Sequence, residues 1–141
     1  MRTAPAYTLP PTPYDLTLNT LAAMIGTCFF LALLTDLAYW ATANLMWTNF
    51  SSWLLFAGLL IGGVGAAFWI VGLFVNDAPA RWWPSFLWLG VLLLGLLNSL
   101  IHAGDGWTGV MPWGLALSAL TFCLMLAGGA GAILTTNRTP R

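Results

Sequence analysis

The chain of 141 residues is 60% hydrophobic and 6% charged, and its formal net charge is zero. Its charged side chains are four arginines and four aspartates, whereas a soluble domain contains about 25% charged residues. This composition excludes a soluble enzyme, a secreted disulfide framework and a nucleic-acid-binding protein. A helix needs about 20 apolar residues to span a bilayer, so the length predicts four spans with short connections.

The first 15 residues are predicted to form a tail, because prolines at positions 5, 10, 11 and 13 disfavour a helix interior. Four apolar runs follow, over residues 16–40, 51–76, 84–102 and 112–134. Each run is predicted to be a helix, since an open strand in lipid would leave its backbone groups unpaired. Ser51 and Ser52 are predicted to cap the second helix, and Pro84 and Pro112 suit first-turn positions.

The predicted fold is all-α: an antiparallel bundle of four transmembrane helices in residues 16–134, followed by a short tail in residues 135–141. The arginines are in the two tails and in the second connection, at Arg2, Arg81, Arg138 and Arg141. With four spans, these three regions lie on the same side of the membrane, and the other two connections contain no arginine or lysine. The positive-inside rule therefore predicts that both termini are cytoplasmic.

Nine tryptophans are present, and seven of them fall near the predicted ends of the spans. Tryptophan favours the membrane–water interface, so these seven are predicted to form aromatic belts. They are Trp40, Trp47, Trp53, Trp107 and Trp113 at the outer boundary, and Trp82 and Trp83 at the inner one. Stacking on a pigment or a quinone is the alternative interpretation.

Small residues recur on each span with alternating spacings of four and three. Such a stripe faces a neighbouring helix in a left-handed bundle, and small side chains there let the two backbones approach. The glycines predicted to pack between helices are Gly26, Gly58, Gly62, Gly65, Gly95 and Gly128.

Polar side chains concentrate near the outer ends of the spans. The cluster predicted there consists of Asp36, Asn98, His102, Asp105 and Ser118. Ionisable residues inside a membrane are costly and are candidates for function. Three readings are open: the cluster locks the outer helix ends together, it binds a proton or a ligand, or its members make no mutual contact. The most specific expectation is that Asp36 meets His102 at the outer end of the bundle. The contact is expected to be direct if the helices approach closely, and otherwise to be bridged by Ser118, Asn98 or a water.

The candidate cofactor ligands are few. A b-type haem held between helices needs two axial ligands, usually histidines, and the chain has one histidine. A zinc site needs three or four ligands. Cys28 and Cys123 are single cysteines in the first and fourth spans, which we expect to be free thiols. The sequence therefore predicts no catalytic residues, no metal and no cofactor.

Several segments resemble a bacterial membrane-protein family called domain of unknown function 2231. The most specific is Asn98-Ser-Leu-Ile-His102-Ala-Gly-Asp105-Gly-Trp107-Thr-Gly-Val-Met-Pro112, followed by Gly114-Leu-Ala-Leu-Ser118. Thr35-Asp36-Leu-Ala-Tyr-Trp40 and Trp53-Leu-Leu-Phe-Ala-Gly58-Leu also fit. Many relatives have histidine–proline pairs before the first span, where this chain reads Pro13-Tyr14-Asp15-Leu-Thr. The resemblance implies a small four-helix protein of the bacterial inner membrane, often regarded as an accessory to redox enzymes.

The expected function is that of a non-catalytic accessory or assembly subunit of a larger membrane complex, with a redox or energy-converting role for that complex. The chain has no soluble domain and no set of catalytic residues, and its expected partners are the lipid bilayer and the complex. Two alternatives are open. The chain could be a redox anchor that binds haem or quinone, or a transporter of protons or small molecules.

Overall fold

The computed structural model describes residues 12–75, 82–104 and 110–136, and the side chains of residues 12–75, 85–104 and 110–129. The described chain is helical, with α1 over Pro13–Thr42, α2 over Met46–Val75, α3 over Trp82–His102 and α4 over Leu115–Thr136. A π-helical turn, Val110–Gly114, precedes α4. Each of the four helices is long and apolar enough to cross a membrane.

Helix α1 begins three residues earlier than predicted, so Pro13, Tyr14 and Asp15 belong to the helix and not to the tail. A capping box explains the early start. The Thr12 hydroxyl accepts a hydrogen bond from the backbone N–H of Asp15, and the Asp15 carboxylate accepts one from the backbone N–H of Thr12, both at 3.1 Å. Pro13 is at the first helical position, where its missing N–H costs nothing.

The prediction that Ser51 and Ser52 cap α2 is wrong, because the helix begins at Met46 and both serines lie inside it. The capping atom is Asn44 Oδ1, which accepts a hydrogen bond from the backbone N–H of Met46 at 3.0 Å. Thr48 and Asn49 before these serines are polar, yet they are helical. The Thr48 hydroxyl, for example, donates to the Leu45 carbonyl at 2.8 Å.

The third and fourth spans start close to the predicted positions. Helix α3 begins two residues before Pro84, which lies in its first turn. Met111 has extended backbone angles (φ −109°, ψ 129°), so the chain kinks immediately before Pro112. The fourth helix then continues to Thr136, two residues beyond the predicted end.

The helices form a four-membered ring in which each helix packs against the next and α4 closes against α1. Helices α1 and α3 are therefore diagonal, and neighbouring helices are antiparallel. We call the end that carries the α1–α2 and α3–α4 connections the loop end, and the opposite one the terminal end.

Phe29 lies at the centre of the bundle and is 2% exposed. Its ring fills the space between Gly58 of α2 and Gly95 of α3. A Cβ atom built on Gly58 would lie 2.5 Å from Phe29 Cε1, and one built on Gly95 would lie 2.6 Å from Phe29 Cζ. Because the two glycines have no side chains, α2 and α3 can both pack directly against the Phe29 ring of α1.

The other glycines predicted to pack between helices differ in how closely they meet their neighbours. Gly62 is buried, and a Cβ atom there would overlap the Leu92 side chain. Gly26, Gly65 and Gly128 are half-buried, and Cβ atoms on them would lie 3.1 Å from Met125, 3.8 Å from Leu21 and 3.7 Å from Leu87. On α1 the buried positions are Ile25, Phe29, Ala32 and Asp36. Gly26, the α1 glycine predicted to pack between helices, therefore lies beside these buried positions and not among them.

At the terminal end, the hydroxyl of Tyr14 of α1 packs directly on Gly72 of α2. The Tyr14 ring stacks on Phe68 with 5.1 Å between the ring centroids. Its hydroxyl also makes a long hydrogen bond, 3.4 Å, to the Trp69 carbonyl. This contact ties the first turn of α1 to the last turns of α2.

Candidate functional site

The carboxylate of Asp36 is the centre of a polar cluster at the loop end. Asp36 lies in the last two turns of α1 and is 0% exposed. Its Oδ1 accepts a hydrogen bond from Ser51 Oγ at 2.5 Å and lies 2.9 Å from His102 Nε2. Its Oδ2 accepts one from Ser118 Oγ at 2.6 Å. One side chain from each of α2, α3 and α4 therefore converges on a single carboxylate of α1.

Further polar groups extend the cluster on both sides of Asp36. On one side, the hydroxyls of Thr35 and Ser51 are 2.7 Å apart. On the other, Asn98 Nδ2 donates to Ser118 Oγ at 2.7 Å. Each serine has one hydroxyl proton, and donating it to Asp36 leaves the serine oxygen to accept from its second neighbour. The hydrogen bonds of Asn98, Ser118 and Ser51 therefore run inward and end on the carboxylate, while the Thr35 hydroxyl also lies 2.9 Å from the Ala32 carbonyl of its own helix.

The imidazole of His102 is held through both of its nitrogens. Nδ1 lies 3.0 Å from the backbone carbonyl of Asn98, one turn earlier on α3. A carbonyl oxygen can only accept, so Nδ1 carries a proton. Nε2 therefore faces Asp36 in a fixed orientation, and the contact closes the α1–α3 diagonal of the bundle.

The start of the fourth span packs tightly against this pair. A Cβ atom built on Gly114 would lie 3.0 Å from His102 Cε1 and 3.5 Å from Asn98 Oδ1. A side chain at this position would therefore have to displace the imidazole by a few tenths of an ångström. Asn98 Oδ1 is buried and has no hydrogen-bond partner among the described residues.

Of the five residues predicted for the cluster, the structure brings four together: Asp36, Asn98, His102 and Ser118. Asp105 lies outside the described residues. Ser51 and Thr35 are members that the sequence reasoning missed. A signal for Ser51 was present, because it lies seven residues before Gly58 and so continues the four-and-three stripe of α2.

The tryptophans near the loop end lie on the lipid-facing surface of the bundle. Trp40, Trp53 and Trp113 are 69%, 71% and 69% exposed, and Trp47 is half-buried with its ring 6.0 Å from that of Phe50. Trp107, and the side chains of Trp82 and Trp83, lie outside the described part of the chain.

A shallow groove of about 420 Å³ runs between α1 and α2 at the loop end. Its lining is almost entirely apolar and open to the lipid side. The lining residues are Leu31, Thr35, Trp47, Phe50, Trp53 and Leu54. We refer to this surface as the α1–α2 groove.

Potential metal ligands are sparse in the described chain. Within residues 12–75, 82–104 and 110–136, no three histidine, cysteine, aspartate or glutamate side chains come together. Cys28 and Cys123 are free thiols on different helices. The Asp36 carboxylate already receives three hydrogen-bonding groups.

Replacing Ser51 by alanine is expected to lower the free energy of unfolding by about 1.5–3 kcal/mol, the usual value of a hydrogen bond to a charged group. Ser52→Ala is the matched control, because the Ser52 hydroxyl donates only to the Thr48 carbonyl of its own helix, at 2.8 Å. Its expected loss is close to zero. Unfolding of both variants in mixed detergent micelles measures the difference, and equal losses would show that Ser51 does not join α2 to α1.

Comparison with protein-family models matches residues 20–137 to one family, which is described as a predicted membrane protein. Comparisons with curated proteins and with solved structures give no match. The matched range extends from the first turns of α1 to the end of α4 and includes every member of the polar cluster. The chain therefore belongs to the DUF2231 family of membrane proteins.

Proposed function

We propose that this protein is a small non-catalytic accessory or assembly subunit of a larger complex in the bacterial inner membrane. The observation that carries the proposal is the closure of the polar cluster. Asp36 and Asn98 are 0% and 1% exposed, and the hydrogen bonds of the carboxylate are all made within the bundle. A cluster of this kind fixes the positions of helices and leaves no open polar group on Asp36 for a substrate.

The outside of the bundle then becomes the surface through which the protein acts. Large apolar side chains cover it, including Phe50 at 49% and Phe56 at 56% exposure. The α1–α2 groove gives this surface a concave, aromatic-lined site that suits a helix of a partner subunit. The family resemblance favours a redox or energy-converting complex as that partner.

A size measurement with groove variants tests the proposal. The full chain, tagged and expressed from its own locus, is extracted in mild detergent and separated on a native gel. We expect it to migrate with a complex much larger than itself, and we expect Phe50→Ala in the groove to release it. Phe74→Ala is the matched control, because Phe74 is 85% exposed at the terminal end of the same helix.

Two results would count against the proposal. Migration as a lone chain or as a homo-oligomer in every mild detergent would contradict a role as subunit. Retention of the complex by Phe50→Ala would instead exclude the α1–α2 groove as the contact surface.

The loop end is expected to face the periplasm. The prediction comes from the arginines at positions 2, 81, 138 and 141, which the four-helix topology assigns to the terminal end. A cytoplasmic reporter fused to the C-terminus should be active, and alkaline phosphatase fused at the same point should be inactive. The reverse pattern would place both termini outside.

A further inference from the structure

The Asp36–His102 pair contains protons that the geometry allows us to count. The Asn98 carbonyl fixes one proton on His102 Nδ1, at 3.0 Å. Between Nε2 and Asp36 Oδ1, 2.9 Å apart, one further proton is needed, because two lone pairs facing each other would repel. The pair is thus neutral as a whole, either as imidazolium and carboxylate or as imidazole and carboxylic acid.

We propose that this pair is a proton-binding site that holds the loop end closed when it contains one shared proton and opens that end when a second proton is bound. The role assigned to the pair is regulation of the bundle by pH, and this regulation does not depend on the accessory role proposed above.

Binding of a second proton would leave a cation without a counter-charge in a buried site. The side chains of Asp36 and His102 are 0% and 1% exposed, and a buried charge is tolerated only when it is paired. Among the residues that the structure describes, the groups that face the pair from the neighbouring helices are hydroxyls and an amide: Ser51 on α2, Asn98 on α3 and Ser118 on α4. None of them can take the excess charge, so the helices must separate or admit water.

Loss of the shared proton would be unfavourable for a different reason. Asp36 Oδ1 would then face the lone pair of Nε2 across 2.9 Å, and no donor would remain between them. Rotation of the imidazole does not relieve this, because Nδ1 is held by the Asn98 carbonyl and Cε1 lies against Gly114. The closed state is therefore stable only within a pH window. Binding of a second proton ends this window on the acidic side, and loss of the shared proton ends it on the basic side.

The opening would be confined to the loop end. His102 is the last residue of α3, and its contact with Asp36 is the side-chain link across the α1–α3 diagonal at that end. At the terminal end, Tyr14 joins α1 to Gly72 of α2, a contact that does not involve the pair.

The test uses the full chain in lipid nanodiscs, with hydrogen–deuterium exchange and ¹⁵N NMR measured over a range of pH. Labelling with ¹⁵N-histidine reports on His102 alone, because the chain has one histidine. We expect Nδ1 to be protonated at neutral pH. On acidification, the protection factors around Asp36, Ser51 and Ser118 should fall in the same pH interval in which the histidine signals change, while those around Tyr14 and Gly72 stay constant.

Variants separate the proton site from a general effect of acid. His102→Gln should abolish the pH response of the loop end, and Ser52→Ala should keep it. If His102→Gln does not fold, the NMR and exchange data on the unmodified chain decide the matter. Constant loop-end protection across the pH interval in which the histidine signals change would overturn the proposal, and so would an unprotonated Nδ1 at neutral pH.

Discussion

Asp36→Ala is expected to lower the free energy of unfolding by about 3–5 kcal/mol, the usual cost of removing one partner from a buried charge pair. The reason is that Ser51, Ser118 and His102 all direct a polar group at the missing carboxylate. The Ser118 hydroxyl and His102 Nε2 would lose this acceptor in a buried site, whereas Ser51 Oγ would keep the Trp47 carbonyl of its own helix at 3.2 Å. Unfolding by detergent titration or steric trapping in bilayers measures the loss.

Two further variants provide a comparison for the expected loss of stability. Asp36→Asn keeps one acceptor oxygen and should cost less, about 1–3 kcal/mol. Asn19→Ala removes a polar side chain from an exposed position on the same helix and should have little effect. An Asp36→Ala variant as stable as Asn19→Ala would show that the cluster does not stabilise the bundle.

Gly58→Ala and Gly95→Ala are each expected to cost about 1–3 kcal/mol, the usual range for overpacking a core. Both added methyl groups would meet the ring of Phe29, at 2.5 Å and 2.6 Å. The ring cannot move away from one glycine without moving into the helix that carries the other. Thermal unfolding in detergent measures the two losses.

The control is Gly63→Ala, since a Cβ atom on Gly63 would meet nothing within 4 Å. This variant should be neutral or slightly stabilising, because alanine favours helix more than glycine does. Adding Phe29→Leu to Gly58→Ala should recover part of the loss. Equal stability of Gly58→Ala and Gly63→Ala would contradict the packing of Phe29 between α2 and α3.

The four spans could be predicted from the sequence because lipid imposes a strong constraint. Any segment long and apolar enough to span must be helical, and the polar or glycine-rich residues between such segments indicate the connections. The spacing of the small residues also indicated which face of each helix turns inward. Asp36 and His102 could be placed on inward faces for that reason.

The start of α2 could not be predicted, because two different physical rules assign a helix start. By the criterion of hydropathy, the helix starts where the apolar run starts, near Ser51. By the criterion of backbone hydrogen bonding, the helix starts where its first N–H groups have an acceptor, and that acceptor is Asn44 Oδ1. The difference placed Ser51 at a helix end in the prediction, whereas it lies in the interior, 2.5 Å from Asp36.

The sequence predicted that Asp36 meets His102, but it left open whether the contact is direct or bridged, for a related reason. Stripes show which face of a helix turns inward, but not how far apart diagonal helices are. That distance depends on packing details such as Phe29 between two glycines and Gly114 against the imidazole. These details bring Nε2 within 2.9 Å of Oδ1 without a bridging group.

A double-mutant cycle on Asp36 and His102 tests the central claim, that one buried pair joins diagonal helices at the loop end. The stabilities of Asp36→Ala, His102→Ala and the double variant are compared with that of the unmodified chain in the same bilayer. The structure predicts a coupling of about 1 kcal/mol or more, because removing the second partner leaves no further buried charge unpaired. Losses that add to within about 0.5 kcal/mol, as for residues that do not touch, would contradict it.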